Sequence, residues 1–262
     1  MGVPGPSVSG RAVVTGATRG IGRALTTELA ARGYNLIVTS RSEQALDELA
    51  ARLSQRYGVI VEVLAADLAD PVQRDQLAGE LAGREISILC ANAGGTGGGA
   101  PVGQRAPASG IAEVQLNVFG GYELVQAVLP GMLARRAGGI LVSGSVAGNS
   151  PIPNFATYAA SKAFVNTFTE SLHVETQGSG VHVTLLAPGR LRTTSHEREQ
   201  ASLVPGFVWT SAEYAAAMSL EGLARNKMRV VPGLHAKAVS AATGYAPRLI
   251  AGKAWRLTRR CR

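Results

Sequence analysis

The chain has 262 residues, 46% of them hydrophobic, with 32 glycines and only 5% aromatics; this suits one large α/β domain with a real core and excludes a disordered or fibrous chain. The net charge of +8 sits at one end: Gly222 to Arg262 holds ten Lys or Arg and no acid, so the other 16 basic and 18 acidic residues leave the body at −2. Two cysteines exclude a disulfide framework, MGVPGPSVSG has no signal-peptide pattern, and no apolar run approaches the ~18 residues of a membrane span, so a cytoplasmic location is expected. No metal site is expected, and no aromatic-interleaved basic surface speaks for nucleic acid.

Residues 1–10 read as a flexible N-terminus. From there strands and helices alternate. Arg11 to Gly16 is a short β-branched strand, followed by a glycine-rich turn and a helix over Ile21 to Arg32. Tyr34 to Ser40 is the second strand, and Ser42 to Tyr57 has helical spacing with Leu46, Leu49 and Leu53 on one face. Val59 to Ala65 is the third strand. Pro71 opens a helix to about Ala82, as proline at a first helical position does. Ile86 to Ala91, with Cys90, is a buried fourth strand before the loop GGTGGGAP. Ser109 to Arg135 reads as a long helix that ends and restarts at Pro130. Gly139 to Ser143 is the fifth strand, Phe155 to Gln177 a helix, and Val181 to Ala187 the sixth strand. A polar loop from Pro188 to Phe207 precedes a helix over Ser211 to Arg225 and a short seventh strand over Met228 to Val231.

Near-continuous apolar strands separated by helices predict a parallel sheet covered on both faces. The expected architecture is therefore α/β: one doubly wound, Rossmann-type domain over 11–233 with about seven parallel strands, followed by a basic extension over 234–262.

One helix carries the chemistry. Tyr158 and Lys162 stand at i, i+4, which stacks them on one helical face. A phenol is a poor acid at neutral pH, and a neighbouring cation brings its pKa toward the working range. Lys162 is the only lysine in the first 226 residues of a chain with four lysines among its 26 basic residues. Arginine serves everywhere else in that stretch. Upstream, TGATRGIG places Gly16, Gly20 and Gly22 between the first strand and its helix, where backbone amides can approach a pyrophosphate.

With that turn, Asn92-Ala93-Gly94 after the fourth strand and Tyr158-x-x-x-Lys162, the sequence resembles the short-chain dehydrogenase/reductase family from about Arg11 to Gly233. The resemblance implies an oxidoreductase acting on a carbonyl or alcohol. Ser145 would hydrogen-bond the substrate carbonyl, Tyr158 would donate the proton, and Lys162 would lower the Tyr158 pKa and hold the nicotinamide ribose. Asn117 would position a water in a proton relay. Cofactor contacts would come from Gly16, Thr18, Arg19, Gly20, Ile21 and Gly22, from Asp67 and Leu68 at the adenine, and from Asn92, Ala93 and Gly94. Tyr158, Lys162 and the loop Pro188, Gly189 and Thr193 would complete the set. Two departures stand out: Gly144 where many members have a second serine, and Ala91 where an asparagine is common.

The second strand ends Val38-Thr39-Ser40-Arg41, without the acid that holds a ribose 2′-hydroxyl in NAD-specific sites. Arg41 and Arg19 could instead clamp a 2′-phosphate, so NADP(H) is the expected cofactor. The expected reaction is reduction of a ketone, with a 3-oxoacyl thioester or other lipophilic compound as candidate substrate, and the resemblance implies a homodimer or homotetramer. Two other readings stay open: a non-catalytic nicotinamide sensor or scaffold, and peripheral membrane contact through the basic extension. A solvated helix and frayed tail is the plainer account of that extension.

Overall fold

The computed structural model describes residues 2–191 and 209–245. Seven parallel strands form one sheet in the order β3-β2-β1-β4-β5-β6-β7. The strands are β1 (Arg11–Thr15), β2 (Asn35–Thr39), β3 (Val61–Val63), β4 (Ile86–Ala91), β5 (Gly138–Ser143), β6 (Val181–Leu186) and β7 (Arg229–Val230). The helices are α1 (Gly20–Ala31), α2 (Glu43–Tyr57), α3 (Pro71–Ala82), α4 (Pro107–Val114), α5 (Gly120–Arg135), α6 (Ala156–Glu175), α7 (Ala212–Ala224) and α8 (Leu234–Tyr245). This is the doubly wound sheet the alternation predicts.

Alternate side chains of each strand feed two separate cores. Ala12 and Val14 of β1 join Leu25, Leu46, Leu49 and Leu220, so α1, α2 and α7 cover one face. Val13 joins Leu77, Leu124, Val128, Met132 and Leu172, so α3, α5 and α6 cover the other. With both faces buried, the strands stay apolar throughout; β4 and β5 are buried at every position. Strand order reverses between β1 and β4, and ligands of such sheets bind in the crevice beyond the strand ends at that point.

Local chemistry sets the element ends. Ser42 accepts from the Ala45 amide at 3.3 Å and caps α2, which closes on Gly58 at φ 69. Asp70 caps α3 through the Val72 amide at 2.9 Å, with Pro71 at the first position. The Gln73 side chain, donating to Asp70 Oδ2 at 2.8 Å, and then the Val72 amide hold the Asp70 carboxyl below its ordinary pKa.

Two boundaries differ from the sequence reading. The long helix starts at Pro107 and does not end at Pro130; α5 runs through that proline to Arg135. Val128 and Met132 are buried in the core on either side of it, and tertiary packing overrides the local penalty. Between α4 and α5, Gln115–Phe119 form a π-turn, a widening that concentrates at functional sites. The regular part of β3 is short, although pairing extends beyond it through Leu36 N to Ile60 O, Leu64 N to Val38 O and Ala66 N to Ser40 O.

The described residues 2–10 and 234–245 make contacts of their own. Within 2–10, Tyr34 donates to the Pro4 carbonyl at 2.8 Å, the Gly10 amide donates to Ser7 Oγ at 2.8 Å, and Val3 packs against the core. The first part of the basic extension is α8, which packs on the 3-10 turn Val146–Asn149 after β5. Residues 246–262 of that extension lie outside the described part.

Candidate active site

The glycine turn between β1 and α1 is built for close backbone approach. Gly16 and Gly20 adopt φ 65 and 53, which other residues rarely tolerate. Gly22 packs so tightly that an added Cβ would strike the Gly16 carbonyl and lie 2.6 Å from Asn92 Nδ2. Thr15 ties this turn to the end of β4: its Oγ1 accepts from the Asn92 and Ala93 amides at 2.9 and 2.8 Å. The crevice at the strand reversal is thereby fixed at Gly16, Asn92 and Ala93.

On α6, Tyr158, Lys162 and Asn166 follow one another at one-turn spacing. Burial lifts the Tyr158 phenol above its ordinary pKa; a hydrogen bond shared with the Ser145 hydroxyl pulls the other way, and Glu113 adds to the rise. Lys162 is 5% exposed, and burial pushes its pKa down to about 8. Its Nζ donates to the Ser143 carbonyl at 2.8 Å and lies 6.0 Å from the Tyr158 ring centre. The sequence reading has Lys162 lowering the Tyr158 pKa; the hydrogen bond that lowers it here comes from Ser145.

Ser145 opens the 3-10 turn, its Oγ accepting from the Ala147 amide at 3.1 Å. The hydroxyl itself donates to the Pro188 carbonyl at a long 3.5 Å. Asn117 sits in the π-turn, 4% exposed. Its Oδ1 accepts from the Gly95 amide and its Nδ2 donates to the Gly95 carbonyl, both at 2.9 Å, with a longer bond to Ser161 Oγ at 3.2 Å. Beside it, a Cβ on Gly94 would lie 2.9 Å from Asn117 Oδ1 and 3.2 Å from Lys162 Nζ. Thus Asn92-Ala93-Gly94, Asn117, Ser145, Tyr158 and Lys162 come together at one end of the sheet.

A family model described as short chain dehydrogenase matches residues 11–203. The chain belongs to the short chain dehydrogenase family. It is 37% identical over 195 residues to a very-long-chain 3-oxoacyl-CoA reductase of Anas platyrhynchos, covering 70% of this chain and 60% of that protein. It is 40% identical over 184 residues to sulfoacetaldehyde reductase 2 of Chromohalobacter salexigens, covering 69% and 72%. The chain therefore spans about three fifths of the length of the first of these relatives. Among solved structures, a short-chain dehydrogenase from Sphingobium yanoikuyae in complex with NADPH superposes with a TM-score of 0.80 at 29% identity, covering 95% of each chain.

The residues of this short chain dehydrogenase suit a nicotinamide dinucleotide. The glycine turn leaves no room for side chains where a pyrophosphate would lie, and β2 ends in two buried hydroxyls, Thr39 Oγ1 and Ser40 Oγ, with no hydrogen-bond partner in the protein. Buried hydroxyls are normally paired; Thr39 is sealed in the sheet at 0% exposure, whereas Ser40 is half-buried just beyond it and suits a phosphate at a ribose 2′-position. Arg41 follows them, exposed, and Arg19 is exposed in the glycine turn, which the Ala17 amide ties to the Thr39 carbonyl at 3.2 Å. Thr18 and Ile21 lie within that same turn and the start of α1. The sequence reading passed over Ser40; an unpartnered hydroxyl is visible only once the fold buries it.

At the adenine end, Asp67 Oδ1 accepts from the Ala69 amide at 3.0 Å. Leu68, expected beside the adenine, has its side chain in the core, and its carbonyl accepts from Arg74 at 3.0 Å. Pro188 accepts from the Val146 amide at 3.1 Å, and Gly189 lies against Ala236 of α8. Thr193 lies outside the described residues. On either side of the undescribed stretch, the Thr210 amide donates to the Arg190 carbonyl at 3.1 Å.

Two further residues escaped the sequence reading. Glu113 of α4 and Arg105 form an ion pair at 2.8 Å, with side chains 3% and 9% exposed, and neither carboxylate oxygen makes an aligned hydrogen bond. The pair lies beneath Gly97, whose added Cβ would meet both partners. Arg105 and Thr157 also line an open, largely apolar hollow with Val102, Ile111 and Val114. Among the described residues no group of His, Cys, Asp or Glu is placed to hold a metal ion, and no helix is long and apolar enough to cross a membrane.

Proposed function

We propose that this short chain dehydrogenase reduces a ketone to an alcohol with NADPH, the reverse oxidation being open to the same residues. The observation that carries the reading is the convergence of Ser145 and the buried Lys162 on Tyr158 beside a crevice suited to a dinucleotide. A bound nicotinamide supplies the hydride. Ser145 holds the carbonyl oxygen through its hydroxyl proton, which gives up its long bond to the Pro188 carbonyl for the substrate. Tyr158 gives that oxygen its proton, so the alkoxide charge never stands unprotected. Lys162 keeps two N–H donors after its bond to Ser143, which suit ribose hydroxyls. Its cationic form stabilises the phenolate left after proton transfer.

NADPH over NADH is favoured by Ser40, Arg41 and Arg19 at the end of β2 and by the absence of an acid there. The NADPH complex of the Sphingobium protein supports the same choice. Among substrates, a 3-oxoacyl thioester is the first candidate, after the name of the duck relative, and the hollow beside Thr157 is apolar enough for an acyl chain. We also infer a homodimer or homotetramer: Tyr122, Phe164 and Phe168 form one aromatic cluster across α5 and α6, with Phe164 44% exposed, and a contiguous apolar patch at the surface suits an interface.

The test is NADPH consumption with a 3-oxoacyl-CoA, an aryl ketone and a steroid ketone, for the wild type and for Tyr158→Phe. Turnover of at least one ketone that is lost in Tyr158→Phe is expected. NADPH binding without turnover of any of the three would favour the sensor or scaffold.

A further inference from the structure

We propose that Asn166 is a positioning residue that fixes the backbone of Ser145 and, through Asn149, links the serine to the C-terminal helix α8. Asn166 stands one turn beyond Lys162 on α6 and is 3% exposed. Its Oδ1 accepts from the Ser145 amide at 3.3 Å, while its Nδ2 donates to the Ser145 carbonyl at 2.8 Å and to Asn149 Oδ1 at 3.3 Å. One amide group thus grips both polar backbone groups of the residue whose hydroxyl meets Tyr158. That fixes the serine's peptide planes as well as its place.

The fit around this amide is close on both sides. An added Cβ at Gly144 would collide with Asn166 Oδ1, and one at Gly148 would lie 2.6 Å from Asn166 Nδ2. The glycine before Ser145 is thus matched to Asn166, which occupies the space a side chain at 144 would need. From Asn149 the contacts continue outward: Asn149 Nδ2 donates to Ser240 Oγ of α8 at 3.1 Å, and Arg229 reaches Asn149 Oδ1 at 3.4 Å. Arg229 also pairs with Glu170, one turn beyond Asn166, at 2.8 Å.

The consequence falls on Tyr158. The charged groups around its phenol are Lys162, at 6.0 Å from the ring, and Glu113 with its partner Arg105. The Ser145 hydrogen bond pulls the phenol pKa down, so a displaced serine lets Tyr158 titrate higher. The assignment rests on the reductase reading only for its effect on turnover.

The test is Asn166→Ala, with Asn149→Ala as a milder cut that leaves the grip on Ser145 and severs the link to α8. Ultraviolet titration of phenolate, taken as the difference from the Tyr158→Phe protein in each background, should place the Tyr158 transition at higher pH in Asn166→Ala. In Asn149→Ala it should move less, in the same direction. With NADPH and the fastest of the three ketones, kcat of Asn166→Ala should fall ~10- to 100-fold, as a misplacement of about 1 Å does, with KM for NADPH within about twofold. An unmoved Tyr158 titration in a folded Asn166→Ala protein overturns the assignment, whatever its melting temperature. If that variant does not fold, an unmoved titration in the near-isosteric Asn166→Leu, which also lacks both bonds to Ser145, does the same. The titration needs no turnover, so a wild type that reduces no ketone would refute the reductase reading and leave this one standing.

Discussion

Lys162 Nζ donates to the Ser143 carbonyl at 2.8 Å in a site that leaves the residue 5% exposed. A single backbone carbonyl is thin compensation for burying an ammonium group. The cost shows as a pKa pushed down to about 8 by desolvation.

That cost makes Lys162→Met stabilising in the absence of cofactor. The folded pKa of about 8 lies below the ordinary lysine value of 10.5, so above pH ~8 the unfolded chain binds more protons than the folded one, and stability rises with pH there. Below pH ~8 both states are protonated and the wild type bears the whole penalty, on the order of 2–4 kcal/mol. Urea unfolding should therefore show Lys162→Met more stable at pH 7 and the advantage shrinking between pH 8 and 10.5. A destabilised variant at pH 7 would contradict the burial cost.

Arg105→Met should be strongly destabilising. It leaves Glu113, 3% exposed, as an unpaired buried carboxylate, and breaking such a pair costs about 3–5 kcal/mol. The double variant Arg105→Met with Glu113→Leu should recover most of the loss, because it removes both charges together. The midpoint of urea unfolding in the two proteins decides this, and a double variant no more stable than the single one contradicts it.

The fold was legible because its signals are periodic: apolar strands, leucines at helical spacing, and caps such as Ser42 and Asp70. Tyr158, Lys162 and the glycine turn were legible because their chemistry is local in sequence. Asn166 and Glu113 were not. On a one-dimensional reading each is a polar residue within a helix, and nothing in the spacing tells that Asn166 meets Ser145 across 21 positions. Pro130 misled for the opposite reason, since its local penalty is real and only the packing of Val128 and Met132 overrides it. The Ser40 hydroxyl gained meaning only when the fold left it without a partner.

Arg41→Asp should reverse the cofactor preference. An aspartate there would repel a 2′-phosphate and could accept from a 2′-hydroxyl. Dissociation constants from cofactor fluorescence should rise at least ~10-fold for NADPH, with NADH unchanged or tighter, a difference of about 1.4 kcal/mol. Equal weakening for both cofactors would remove Arg41 from the phosphate.

Gly22→Ala should abolish binding of either cofactor. Its Cβ would strike the Gly16 carbonyl, which is backbone and cannot swing aside, so the turn must open. Thermal unfolding with 1 mM NADPH should then show no stabilisation, whereas the wild type gains ~2.7 kcal/mol when ligand stands at 100 times its dissociation constant. A normal shift in the variant would show that the turn does not bind the cofactor.

The most direct test of the account is transfer of deuterium from NADPH carrying deuterium at both nicotinamide C4 positions, followed by mass spectrometry of the product alcohol. With the wild type and a 3-oxoacyl-CoA or another ketone that it turns over, one deuterium should appear on the carbinol carbon, and with Tyr158→Phe the alcohol should fall by ~100-fold or more. Unlabelled alcohol from the wild type, or labelled alcohol formed as fast by Tyr158→Phe, would contradict hydride transfer assisted by the Tyr158 proton.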